Sequence, residues 1–279
     1  MSRPLVRIVL DRLVSALVVL CVMAAAIPAL VLLLFVLIKG IPGMLRPGFF
    51  TDAPHPIGFP GGGVFNAILG TLIIVGVASL LAVPFGTLVG IFLSEYGRNQ
   101  LGDTVRFVSD VLTGLPSIAF GIFGYTVLVA TLGHFSALSA SVALAVLMLP
   151  VILRATETAL VLVPQSLREA GLALGAARWR VTLEIVVPAA LGGIVTGALL
   201  AMARAAGETA PLLFTALGND LLNTNPLRPM GALALTVFRN ALSPYSNLQD
   251  QAWAAALLLV ILVASTNILA RIYVRQIQR

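Results

Sequence analysis

The chain has 279 residues, 59% of them hydrophobic and 10% charged, with a mean hydropathy of +1.04; soluble domains carry about 25% charged residues. This composition excludes a water-soluble fold, and the net charge of +6 has no basic run that would suit nucleic acid. One cysteine, Cys21, and two histidines, His55 and His134, exclude a disulfide framework and an ordinary zinc site. The only lysine, Lys39, sits in no G-x-x-x-x-G-K-[ST] loop, so this chain does not hydrolyse ATP by that machinery. With no G-x-S triplet and no Cys/His pair placed for nucleophilic chemistry, no catalytic residue is assigned.

A membrane helix needs about 20 mainly apolar residues to cross about 30 Å of hydrocarbon. The first such stretch, Leu13 to Ile38, is too long for the apolar part of a signal peptide and reads as a retained helix. The second lies within Val64 to Ser94. The uncharged run Val111 to Leu153 holds the third and fourth, with a tight connection near Gly133 to Ser139. The fifth starts between Ile185 and Gly192 and continues past Arg204 and Glu208; the sixth is Ala252 to Ala270. The expected architecture is all-α and integral to the membrane, with six transmembrane helices.

Cytoplasmic flanks collect Lys and Arg. Arg3, Arg7, Arg12, Arg98, Arg106, Arg168, Arg178, Arg180, Arg271, Arg275 and Arg279 lie on one face, against Lys39, Arg46, Arg228 and Arg239 on the other. Both termini are therefore expected in the cytoplasm. The connections Gly40 to Gly63 and Leu217 to Asp250 then face outward, as candidates for partner contact or an external gate.

Between helices four and five, Pro164 to Arg180 reads as a short amphipathic cytoplasmic helix. Ser166 and Glu169 have capping-box spacing, Gly175 suits a left-handed stop, and Leu167, Ala170 and Leu174 share a face. Periodicity alone allows such a helix to lie on lipid or to dock on another protein.

Inside the fifth helix, Arg204 and Glu208 stand four apart on one face, next to Thr209, and Pro211 breaks the helix in the same turn. An arginine near the bilayer centre costs about 2.5–3.5 kcal/mol, so it is paired or faces a polar space. Open backbone at that depth must line protein or water. A purely structural ion pair is the competing reading. Arg154 and Glu157, three apart near the end of helix four, suit either a polar cavity or an arginine reaching the cytoplasmic interface. Pro116 breaks helix three, and Ser117 with nearby N–H groups can point at an anion. His134 reads as a turn residue. Gly86 with Gly90, and Gly193 with Gly197, permit close helix packing.

Glu169-Ala170-Gly171, three residues, Gly175, nine residues, then Ile185-Val186-Val187-Pro188 resembles the EAA loop of ABC-importer permeases over 164–188, with Gly171 and Val187 in place of the usual Ala and Leu. More widely, Gly62 to Leu72, Pro84-Phe85-Gly86, Leu93 to Tyr96, Gly114 to Gly121, Leu149-Pro150 and Ala203 to Leu212 resemble the A permease subunits of Pst-type phosphate importers. The resemblance covers about Gly61 to Leu217. It implies a MetI-like ABC-importer permease fold, with residues 1–63 an N-terminal helix and external loop and 64–279 the permease domain. It also implies that Arg168, Glu169, Ala170, Gly171 and Gly175 couple to a separate ATPase. It associates Arg154 and Arg204 with phosphate passage; on the chemistry of the residues alone, Glu208 is placed to hold the Arg204 guanidinium, and Ser117 and Thr209 are further candidates for the pathway. The implied partners are a sister permease (PstC-like), a dimer of ATPase subunits (PstB-like) carrying ATP and Mg, an external phosphate-binding protein (PstS-like) and the lipid of the bacterial inner membrane. No cofactor and no metal are expected on this chain. Other readings are a permease for sulfate or molybdate, an ion-gradient-driven secondary carrier, and a structural membrane scaffold.

Overall fold

The computed structural model describes residues 3–55 and 62–277. Residues 1–2, 56–61 and 278–279 of the ranges given above, Gly61 and Arg279 among them, lie outside the described residues. Among the described residues every regular element is helical. In chain order these are α1 (Arg3–Met44), α2 (Phe65–Glu95), α3 (Gln100–Gly114) and α4 (Ser117–Gly124), which continues through a π-turn (Tyr125–Val129) into α5 (Ala130–Leu132). After α6 (Ala137–Val161) and α7 (Gln165–Ala173), α8 (Arg178–Val181) runs through a second π-turn (Thr182–Val186) into α9 (Val187–Ala206). Then come α10 (Ala210–Thr215), α11 (Leu233–Ala241) and α12 (Ser246–Ile277).

Among the described residues, five helical stretches are long and apolar enough to cross a membrane, and a sixth is made if α3 and Ser117–Leu132, bent by 103°, count as one broken span. The expected count of six is thus reached only with that broken span, and the boundaries differ. The first helix extends over Lys39 to Met44, because the apolar side of its last turns packs on α12: a Cβ at Gly40 would lie 2.6 Å from the Leu257 Cβ, and one at Gly43 2.8 Å from that of Ala254. Residues 111–114, assigned above to the third span, instead end α3. Asn99 caps that helix by accepting from the Gly102 N–H at 2.9 Å, and Pro116, in extended backbone, forms the corner before Ser117. The fifth span begins earlier than expected, at Arg178. Pro188 has no N–H to continue the ladder, and the turns before it widen into the π-turn. This span does not run continuously past Glu208: α9 stops at Ala206 and α10 resumes at Ala210 with Pro211 in its first turn.

The core is organised around α6, and both glycine pairs pack against it. Cβ atoms at Gly86 and Gly90 would meet Ile152 at 2.8 Å and Thr156 at 2.6 Å; one at Gly193 would meet Ala159 at 2.6 Å, and Gly197 abuts Ala155. Rising numbers pair with rising numbers on α2, so α2 and α6 run parallel, while α9 is antiparallel to both. Large buried side chains, Ile74, Leu144, Met148 and Ile152, fill the space outward from these contacts. The outer connections fold back onto the bundle. Asn66 donates to the Asn219 carbonyl at 2.7 Å, and the Leu233 N–H donates to the Thr71 hydroxyl at 2.8 Å, fixing α11 inside a segment that the sequence reading left without a helix. Gly133 turns in the left-handed region and Ser136 caps α6, so the tight connection falls where it was expected.

Candidate functional site

Two polar layers lie between α2, α3, α4, α6, α9 and α10. The pairing of Gly193 with Ala159 and Gly197 with Ala155 sets Arg204 level with Met148, close to the middle of α6. Arg154 lies about 9 Å nearer the end of α6 at Val161, taking a rise of about 1.5 Å per residue.

At the mid-depth layer, Arg204 Nε stands 3.5 Å from Glu208 Oε1, with the arginine side chain half exposed and the glutamate mostly buried. The two residues flank the end of α9, whose last carbonyls are taken by tight turns: the N–H of Gly207 donates to the Arg204 carbonyl at 3.1 Å and that of Glu208 to the Ala205 carbonyl at 3.2 Å. Thr209 precedes α10 as its N-cap residue. Gly121 packs against the backbone of Ala210 and Pro211, and Gly124 against Thr215, so Ser117, one turn before Gly121, sits at the level of the broken turn. The structure therefore brings Arg204, Glu208, Thr209 and Ser117 to one depth. It leaves Arg154 in a separate layer.

That second layer is an ion network. Asp110 on α3 accepts from Arg154 Nη2 at 2.5 and 2.6 Å and from its Nε at 3.1 Å. Glu157 accepts from Arg154 Nη1 at 3.1 Å and from Arg106 Nε at 2.7 Å. Arg106 also pairs with Asp103 at 3.2 Å and donates to the carbonyls of Leu93 and Gly97 at the end of α2. Arg154 and Glu157 stand out in the sequence as charges in an apolar run, whereas Asp103 and Asp110 do not, because the stretch from Arg98 to Val111 reads as a connection. The signal was present: Asn99 is followed by Leu101, Val105, Val108 and Leu112 at helical spacing.

The third site is α7 and its anchor. Gly175, at φ +82°, ends the helix in a Schellman turn, with its N–H donating to Leu172 and that of Ala176 to Gly171. The capping box does not form. The helix starts at Gln165 with Pro164 as its cap residue, so Ser166 is already inside the first turn and no side chain caps it. Leu167, Glu169, Ala170, Leu172 and Leu174 are exposed, Leu174 at 89%. Gly171 is buried against Val181 and Ile185.

Arg168 points into the protein. It donates to Glu95 at 2.9 Å and to the carbonyls of Leu160 and Val163 at 2.8 and 2.7 Å. Arg178 donates to the Glu95 carbonyl and stacks over Tyr96 with 4.9 Å to the ring centroid. The last carbonyls of a helix lack partners within it and carry partial negative charge. Arg106, Arg168 and Arg178 supply the donors that the ends of α2 and α6 need. Sequence reasoning assigned Glu95 no role beyond ending a span, yet its carboxylate, about nine-tenths buried, ties α2 to α7.

The family model for the binding-protein-dependent transport system inner membrane component matches residues 82–279. This chain belongs to that family. Within it, the chain is 46% identical over 235 residues to the phosphate transport system permease protein PstA of Yersinia pestis, covering 84% of this chain and 79% of that one. It is 42% identical to PstA of Haemophilus influenzae, covering 86% of each. It is 40% identical to PstA 1 of Mycobacterium tuberculosis strain H37Rv, covering 88% of this chain and 81% of that one. Among solved structures, an inward-facing form of the MetNI methionine ABC transporter superposes with a TM-score of 0.67 at 23% identity, over 77% of this chain and 96% of that one. The fold is thus that of MetI-like ABC-importer permeases. This inner-membrane component is a transport subunit and not an enzyme.

Proposed function

We propose that this chain forms one half of the membrane pathway of an ATP-driven phosphate importer. Its α7 passes the motion of a separate ATPase to the spans. The observation that carries the reading is the broken turn between α9 and α10, where a half-exposed arginine is held beside a carboxylate near mid-depth. A guanidinium fork offers two parallel N–H donors to an oxyanion, whereas an ammonium offers a point charge. In this reading Arg204 receives the ion, Glu208 orients the guanidinium and keeps the ion from being trapped, and Ser117 and Thr209 line the passage. Arg154 forms a second station nearer the cytoplasm. The names borne by the relatives support phosphate over sulfate or molybdate, and a multi-component importer over a secondary carrier or a scaffold.

The partners in this reading are a PstC-like sister permease, a pair of PstB-like ATPase subunits that hold ATP and Mg, and an external PstS-like phosphate-binding protein; this chain itself holds no cofactor. Residues 1–63 act as an N-terminal helix and external loop, and 64–279 as the permease domain. Both termini lie in the cytoplasm, an orientation supported by the arginines gathered at the ends of α2 and α6. Glu169, Ala170, Gly171 and Gly175 shape the surface that meets the ATPase, with Arg168 anchoring it from behind. Co-expression of the four components in vesicles, with omission of each, tests the reading. Radiolabelled phosphate uptake that needs ATP and every component is expected, and uptake by this chain alone would overturn it.

A further inference from the structure

In the ion network beside α3, the edge of Arg154 that an oxyanion would need is already filled. Asp110 takes Nε and Nη2, the pair of donors that binds two oxygens of one anion, while Glu157 takes Nη1. The carboxylate of Asp110 is thus placed as an oxyanion would be. We propose that Asp110 is a built-in competitor for the transported oxyanion: it leaves Arg154 when the ion arrives there and returns to expel it toward the cytoplasm. This rests on the reading of Arg154 as a station for phosphate.

Asp110 is suited to leaving and Glu157 to staying. Asp110 is 61% exposed and comes from another element, whereas Glu157 is 12% exposed, lies one turn along the same helix, and is pinned by Arg106 at 2.7 Å. Removing Asp110 therefore frees one edge of Arg154 without releasing the guanidinium. With Asp110 in place, two carboxylates surround one arginine, and the local charge repels an anion. Including Asp103, which faces Arg106, the group carries three acids against two bases.

The motion required is that of α3 as a body. It is a 15-residue helix set between the short 96–99 connection and the corner at Pro116, and it lies at 103° to the segment that follows. Polar contacts joined through the backbone at the end of α2 reach it from α7. Arg168 holds Glu95, the carbonyls of Leu93 and Gly97 beside Glu95 hold Arg106, and Arg106 holds Glu157 on Arg154. A displacement of α7 that shifts the end of α2 is thereby applied to α3 and to the carboxylate on Arg154.

The test uses the assembled permease–ATPase complex in nanodiscs, without nucleotide or binding protein, and radiolabelled inorganic phosphate as the probe. Asp110→Asn should bind phosphate at least about tenfold more tightly than the parent and turn over more slowly, without a raised KM for uptake. Adding Arg154→Gln should abolish the gain, and Asp110→Glu should restore parental behaviour. Equal phosphate binding by parent and Asp110→Asn would overturn the proposal. If Asp110→Asn does not assemble, a spin label at Phe107→Cys in a Cys21→Ser chain decides. Phosphate must alter its spectrum if α3 moves, and an unchanged spectrum would overturn the proposal. Parental complex without any ATP-dependent phosphate uptake would instead sink the functional reading on which it rests.

Discussion

In the proposed pathway, Arg204 is the residue on which binding of the ion turns. Substitution by lysine keeps the charge but removes the planar fork. Losing one charge-assisted hydrogen bond costs about 1.5–3 kcal/mol. We therefore expect Arg204→Lys to lower the rate of phosphate uptake roughly 10- to 100-fold while the complex still assembles; full uptake would contradict the role given to the fork. Gly197 tests packing instead. Its hydrogen abuts Ala155, so Gly197→Val must push α9 from α6 at an overpacking cost of about 1–3 kcal/mol. The checking measurement is the temperature at which the detergent-solubilised complex loses its monodisperse peak, and no decrease would contradict the close contact. Both residues were visible in the sequence, Arg204 because a charge in an apolar run demands a reason and Gly197 through its spacing from Gly193. Asp110 was not, since its role comes from meeting a residue 44 positions away and local pattern carries no signal of that.

At the scale of elements, the α7 unit has two faces that its sequence shows as one. Its outward side is exposed apolar surface with Glu169. Its inward side is Gly171 and Arg168, which close over α8 and the ends of α2 and α6. Arg168→Ala leaves Glu95 buried without its cation, a loss of about 3–5 kcal/mol for a buried pair. We expect lower thermal stability of the complex and ATP hydrolysis that no longer drives uptake, read as phosphate moved per ATP; an unchanged ratio would contradict the anchor. Leu174→Asp acts on the other side. It should leave folding intact, since Leu174 is 89% exposed, and reduce co-purification of the ATPase; equal recovery would favour a helix lying on lipid. The spans themselves were legible because about 20 apolar residues leave few alternatives. Their ends were less so: Pro188 shifted the start of the fifth, tertiary packing on α12 carried the first past Lys39, and Pro116 gave a corner where the sequence suggested a break within one span.

For the whole molecule, the arginine asymmetry that set the expected orientation has a second use, because Arg106, Arg168 and Arg178 close the ends of α2 and α6. The topology signal and the helix caps are therefore partly the same residues. α6 stands between α2 and α9, with the Arg204 layer level with its middle and the Arg154 network in the half that ends at Val161. The most direct test of the central claim is initial-rate uptake of radiolabelled phosphate into ATP-loaded vesicles holding the four-component assembly, with and without excess sulfate. Uptake that sulfate leaves unchanged and that falls in Arg204→Lys is predicted. Uptake displaced by sulfate would contradict phosphate as the substrate, and uptake independent of ATP would contradict the importer itself.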